Sequence, residues 1–210
     1  HQHDNKHNFD YAAHETSISN DTSFDVKFYH IDVEIALDYA HISGSVNCLL
    51  SSLQDNLSSI KLDLDQAYTI DSISGAVASF SFQNNIINIS LSESYNTADT
   101  FSLKIYYGGI PQMPGGYKGL RYETHGQDEI IIASLSTPFL AHSWWPCKDG
   151  TEDKSDSTFI DITIKDTTIN NIDVIALSNG LLDTIINEAG KNTFKWKHKY
   201  PIVPYYVMVA

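Results

Sequence analysis

Apolar and polar residues alternate with a period of two along most of this chain, and that spacing restricts it to β-structure. In Tyr29-His30-Ile31-Asp32-Val33-Glu34-Ile35-Ala36-Leu37-Asp38 the apolar side chains fall on odd positions and the polar ones mostly on even positions. Neighbouring side chains of a strand point to opposite faces, so such a run sets one face on a core and the other in water. A turn is expected at His41-Ile42-Ser43-Gly44, leading into a partner strand over Ser45 to Leu53. Further strand patterns cover Ile60 to Leu64, Ala67 to Ile73, Ala78 to Phe82, Ile86 to Leu91 and Phe101 to Tyr107. Asn84-Asn85 between two of these reads as a tight turn, because Asn tolerates positive φ.

Gly108 to Tyr117 is rich in glycine and proline and is expected to be a long irregular connection. Strand patterns resume at Glu129 to Ser134, Phe159 to Lys165, Ile172 to Leu177, Leu181 to Asn187, Thr193 to His198 and Tyr205 to Val209. Asn179-Gly180 reads as a hairpin turn. No 3.6-residue apolar period persists for three turns, so almost no helix is expected. Residues 1–22 open on a polar, histidine-bearing stretch and read as a flexible segment, with residues 23–210 as one β domain. The chain stops at Tyr205 to Ala210, inside an apolar run, and continuation into another domain is the expectation.

Charge and motifs exclude several functions. The formal net charge is −13 with Arg121 the sole arginine, which opposes phosphate contacts and hence nucleic-acid binding. No apolar run reaches the roughly 18 residues a membrane helix needs. His14-Glu15 is the nearest approach to a zinc-peptidase helix motif, but Ile18 occupies the second histidine position. His1, His3 and His7 lie on a segment too loose for a catalytic metal site. No Gly-x-Ser-x-Gly elbow or phosphate-cradling glycine loop occurs, and Asp149 to Asp156 lacks calcium-loop spacing and reads as a solvated loop. Cys48 and Cys147 are compatible with a disulfide or with two buried thiols. The second reading is favoured by the alternation of Cys48 with Val46 and Leu50, and by Cys147 following an aromatic pair.

That pair belongs to Ser143-Trp144-Trp145-Pro146-Cys147-Lys148-Asp149. Adjacent residues of a strand face opposite ways, so at least one Trp is expected to be buried as a loop anchor. The rival expectation is an aromatic platform for a sugar ring, in a stand-alone carbohydrate- or protein-binding module using Trp144, Trp145, Tyr205 or Tyr206.

Several motifs occur in an order that resembles a known family. They are the opening alternating strand with Ser43-Gly44-Ser45-Val46, Leu62-Asp63-Leu64, and Leu103-Lys104-Ile105-Tyr106-Tyr107-Gly108-Gly109. They continue with Trp145-Pro146-Cys147-Lys148-Asp149, Ala176-Leu177-Ser178-Asn179-Gly180 and Pro201-Ile202 to Ala210. Together they are similar to the N-terminal domain of the aminopeptidase N and leukotriene hydrolase family of gluzincin metallopeptidases.

The resemblance implies a saddle-shaped, all-β, antiparallel sandwich or open barrel lying against a separate catalytic domain. It implies no catalytic residue and no metal ligand in these 210 residues. Zinc and the catalytic glutamate are expected in the catalytic domain, within a secreted or periplasmic aminopeptidase. The family supplies a carboxylate to the substrate's ammonium group from a Gln-x-Glu loop. Counting back from Pro146, those positions are held here by Leu135 and Thr137. Leu135, Ser136, Thr137 and Pro138 are therefore the implied pocket-lining residues, with a weakened ammonium anchor. Trp144, Trp145, Pro146, Cys147 and Asp149 form the implied structural loop, and His142 stands where the family usually has arginine.

Overall fold

A computed structural model describes residues 19–111, 119–125, 129–169 and 172–210. The expectations placed on His1, His3, His7, His14 and most of the flexible segment fall outside these residues. Seven strands form the principal sheet: β1 (Phe24–Ile35), β2 (Ile42–Ser52), β4 (Tyr68–Gly75), β7 (Thr100–Gly109), β10 (Ser157–Lys165), β13 (Leu181–Glu188) and β14 (Lys191–His198). Their order is β13-β14-β10-β1-β2-β7-β4. A three-stranded sheet is built from β3 (Leu57–Asp63), β6 (Ile86–Tyr95) and β5 (Ser79–Gln83). Two small pairs complete the fold: β8 (Leu120–His125) with β9 (Glu129–Ser134), and β11 (Thr168–Ile169) with β12 (Ile172–Asp173). Helix among the described residues is limited to 3-10 turns at Ala141–Ser143 and Pro204–Tyr206.

The fold is all-β and sandwich-like, with sheets that do not close into a barrel. Ladders are antiparallel except β1 with β10, where Ile31 pairs with Ile160 and Val33 with Ile162 in parallel. β1 shows how the pattern makes the core. Phe24 and Val26 are buried on even positions, a bulge intervenes between Val26 and Phe28, and Tyr29, Ile31, Val33 and Ile35 are then buried on odd positions. One extra residue in the strand absorbs the change of parity without exposing either set.

Several local expectations need correction. β2 begins at Ile42, so the reversal lies in residues 36–41, where the Ala36 N–H donates to the His41 carbonyl at 3.1 Å. Gly44 sits inside the ladder opposite Val33, where a Cβ would lie 2.1 Å from the Asp32 carbonyl oxygen, so the position requires glycine. Leu120 to His125 forms β8, a strand hidden behind the glycine-rich run. Of Ile172 to Leu177 only the first two residues are strand, and Tyr205 to Val209 starts as a 3-10 turn set by Pro204 rather than as a strand. Finally, Asn179-Gly180 closes no hairpin. The β13–β14 reversal is made by Ala189 and Gly190, with φ of 53° and 75°. Asn84 and Asn85 do make the expected turn, with φ of 53° and 65°.

Candidate functional site

The loop from Ser134 to Gly150 joins the implied pocket residues to the tryptophan pair, and the sheet fixes it at many points. Three buried tyrosines reach it from below. The Tyr68 hydroxyl donates to the Ser143 carbonyl at 3.3 Å, and the Tyr107 hydroxyl donates to the Trp144 carbonyl at 3.1 Å. The Lys148 N–H donates to the Tyr29 oxygen at 2.9 Å. Burial holds the hydroxyls of Tyr29, Tyr68 and Tyr107 protonated by raising each above the usual phenol range. They are structural donors and acceptors, not acids.

Both tryptophans are fully buried. They lie in a loop, so the opposite-face rule of a strand does not separate them. Trp145 meets Tyr29 edge-on at 4.9 Å, and the two indoles tilt at 53°. An aromatic platform on Trp144 and Trp145 is therefore ruled out by their enclosure, and Tyr205 and Tyr206 are inclined at 64° rather than coplanar.

Beneath the loop lies a buried polar lattice. Cys147 and Asp63 exchange both backbone hydrogen bonds, at 2.7 and 3.0 Å, docking the loop on the end of β3. The Asp149 N–H donates to Asp63 Oδ2 at 3.1 Å, and Ser19 donates to the same carboxylate through both its N–H and its hydroxyl. Asp149 Oδ2 accepts from the His142 N–H at 3.1 Å and lies 2.6 Å from His142 Nδ1. Burial pushes the Asp63 carboxyl up to about 6, against the pull of the hydrogen bonds from Ser19 and Asp149. None of these pairings was legible from spacing, since Asp63 and Asp149 are distant in sequence and belong to no local motif.

Cys48 and Cys147 are free buried thiols. Burial pushes Cys48 up to about 12 and Cys147 well above the ordinary thiol range, so neither is a nucleophile at neutral pH. The solvated-loop reading of Asp149 to Asp156 holds for Glu152, Lys154 and Asp156 but not for Asp149 or Ser155, which are buried. Asp153 is drawn in by Lys148, whose ammonium group donates to it at 2.7 Å and sits 4.6 Å over the Phe24 ring.

The implied pocket residues lie largely at the surface. Leu135, Thr137 and Pro138 are exposed and Ser136 is half-buried. Their backbone is pinned at both ends: the Leu135 N–H donates to the Gly119 carbonyl at 3.1 Å, and the Leu140 N–H to the Thr137 carbonyl at 3.0 Å. Ser134 and Val209 are cross-linked by the Ser134 N–H to the Val209 carbonyl and by the Val209 N–H to Ser134 Oγ. A cleft of about 580 Å³ opens nearby between Phe24, Leu53, Phe139 and the Lys148–Asp153 loop. Asp21, Asp149 and Asp153 on its wall are already engaged by Ser23, His142 and Lys148. Among the described residues no three His, Cys, Asp or Glu side chains are grouped to hold a metal ion. None of the described residues is therefore placed to hold a zinc ion.

Comparison with known proteins gives the arrangement a family context. The family model described as the peptidase M1 N-terminal domain matches residues 25–206. An M1 zinc metallopeptidase from Deinococcus radiodurans has the same fold, with a TM-score of 0.77 and 20% identity over 90% of this chain and 42% of its own. A two-domain M1 zinc metallopeptidase bound to L-arginine gives 0.75 and 20% over 90% and 42%. Leukotriene A4 hydrolase from Saccharomyces cerevisiae gives 0.68 and 17% over 94% and 30%. The chain thus spans less than half the length of each of these structures. None of the curated proteins matches it.

Proposed function

This chain belongs to the peptidase M1 N-terminal domain family, and from that premise we propose that it is the non-catalytic domain of a zinc-dependent aminopeptidase. In this reading residues 23–210 form one scaffold that packs on the catalytic domain of the same polypeptide. The zinc and the peptide-hydrolysing groups belong to that catalytic domain, where the metal polarises the scissile carbonyl and activates water. The parent acts on peptides in a secreted or periplasmic setting, which fractionation of the source cells tests.

What supports a pocket role is the exposed but pinned backbone of Leu135 to Pro138 above a lattice of buried hydrogen bonds. Such a loop presents side chains at fixed positions with little entropy left to lose. Thr137 accepts a hydrogen bond but carries no charge, so it holds a substrate ammonium group more weakly than a carboxylate would. Leu135, Ser136 and Pro138 act there through shape. In the parent enzyme Thr137→Glu raises kcat/KM for substrates with a free amino terminus and leaves amino-blocked substrates unchanged. Equal kinetics for both substrate types would remove this loop from the pocket.

A further inference from the structure

The principal sheet is longer than the layer that covers it. Its inner face is buried along β1, β2, β7 and β10, where β3 and β6 contribute Ile60, Leu62, Ile87 and Ile89 to the same core. Toward β13 the cover ends. Ile185 pairs with Phe194 and Phe194 with Ile162, so these three side chains share the inner face. Yet Ile162 is buried while Ile185 is exposed. An apolar inner face left open at one end of a sheet is a surface built for a partner.

A groove of about 200 Å³ opens over Ile162 on this face. Ile35, Ile162 and Ile164 are buried at its base, and Ile131 and Ile175 stand at its rim with 47% and 58% of their surface exposed. Every residue lining it is apolar, on a chain of net charge −13. The groove therefore selects an apolar protein face over a cationic or polar ligand.

Ala210 also lines the groove, and its N–H and C=O are both bonded to Leu177, at 3.0 and 2.7 Å. Any polypeptide continuing beyond Ala210 starts at this rim. The related structures are more than twice as long as the portion this chain matches, and one of them is a two-domain enzyme. Resting on the functional reading above, we infer that the Ile131–Ile175 groove is the docking face for the catalytic domain. The Leu135 to Pro138 loop follows β9 directly and is tied by Ser134 to Val209. Docking on this face therefore sets the pocket loop beside the domain that carries the metal.

The test uses the complete parent polypeptide. Ile131→Asp and Ile175→Asp together place two carboxylates in the buried contact, where each lacks a partner. The expected result is that one calorimetric unfolding transition becomes two, with cleavage between the domains by dilute proteinase K, which needs no basic residue, about tenfold faster or more. Phe80→Asp, at an exposed site on β5, is expected to change neither reading. Should the double Asp variant fail to fold, Ile131→Ser with Ile175→Ser is read in the same way. A single transition and unchanged cleavage in the groove variants would overturn the docking face while leaving the functional reading intact. A reading frame without a downstream zinc domain would end both.

Discussion

Nδ1 of His142 lies 2.6 Å from Oδ2 of Asp149, and both side chains are enclosed. An ionised carboxylate only accepts, so Nδ1 carries the proton in this contact. The same oxygen receives the His142 backbone N–H, which closes the loop between the two residues into a rigid ring. This pair holds the segment that leads from the Leu135 to Pro138 loop to the tryptophans.

His142→Ala strips that carboxylate of its side-chain donor and leaves it buried. Breaking a buried pair from one side costs about 3 to 5 kcal/mol. Urea denaturation of the two proteins measures it, and a loss below about 1 kcal/mol, the range of a surface pair, would mean the lattice is not a structural keystone.

Asp63 predicts a pH effect of defined sign. Its folded pKa of about 6 lies above the roughly 3.9 of an unfolded aspartate. The folded state therefore holds the proton more tightly, and the stability this contributes is present below about pH 4 and lost as pH rises through 6. Relative to Asp63→Asn, the native protein should lose up to about 3 kcal/mol between those limits. Denaturant titrations at pH 4, 5, 6 and 7 read the difference, and a flat difference would disprove it.

Tyr107→Phe removes the donor to the Trp144 carbonyl without opening a cavity. The cost is about 1 to 3 kcal/mol, because the carbonyl stays buried and loses its partner. The denaturation midpoint should fall with an unchanged slope, marking a loss of stability and not a change of fold.

The β13–β14 turn makes the opposite kind of prediction. Ala189 holds a left-handed conformation before Gly190, a geometry that Asn accepts more readily than Ala. Ala189→Asn should raise stability by about 0.5 to 1 kcal/mol, read as an increase in Tm. A decrease would show that the surrounding strands, not this residue, set the turn.

These residues also show where sequence reasoning reached and where it stopped. The parity of β1 was visible because burial on one face imposes a period of two, and Asn84-Asn85 because both residues tolerate positive φ locally. The β13–β14 reversal falls in the gap its strand patterns leave, whereas Asn179-Gly180 has hairpin-turn chemistry but follows residues 174–177, which are not strand. In the fold the Asn179 side chain instead donates to the Tyr206 carbonyl and accepts from the Met208 N–H, fastening the last segment. β8 was hidden because its neighbouring glycines and prolines dominate the pattern. The Trp-Trp-Pro-Cys loop stood out by composition, but its partners Asp63, Tyr68 and Tyr107 come from other strands. Tertiary pairs of that kind leave no mark in a local window.

If this chain is a scaffold, reactivity comes from a neighbouring domain and none resides in these residues. The most direct measurement is zinc content and peptide hydrolysis of the purified 210-residue chain after dialysis against a mild chelator. No stoichiometric zinc and no release of amino acids from a free-amine peptide are expected. One retained equivalent of zinc accompanied by hydrolysis would contradict it.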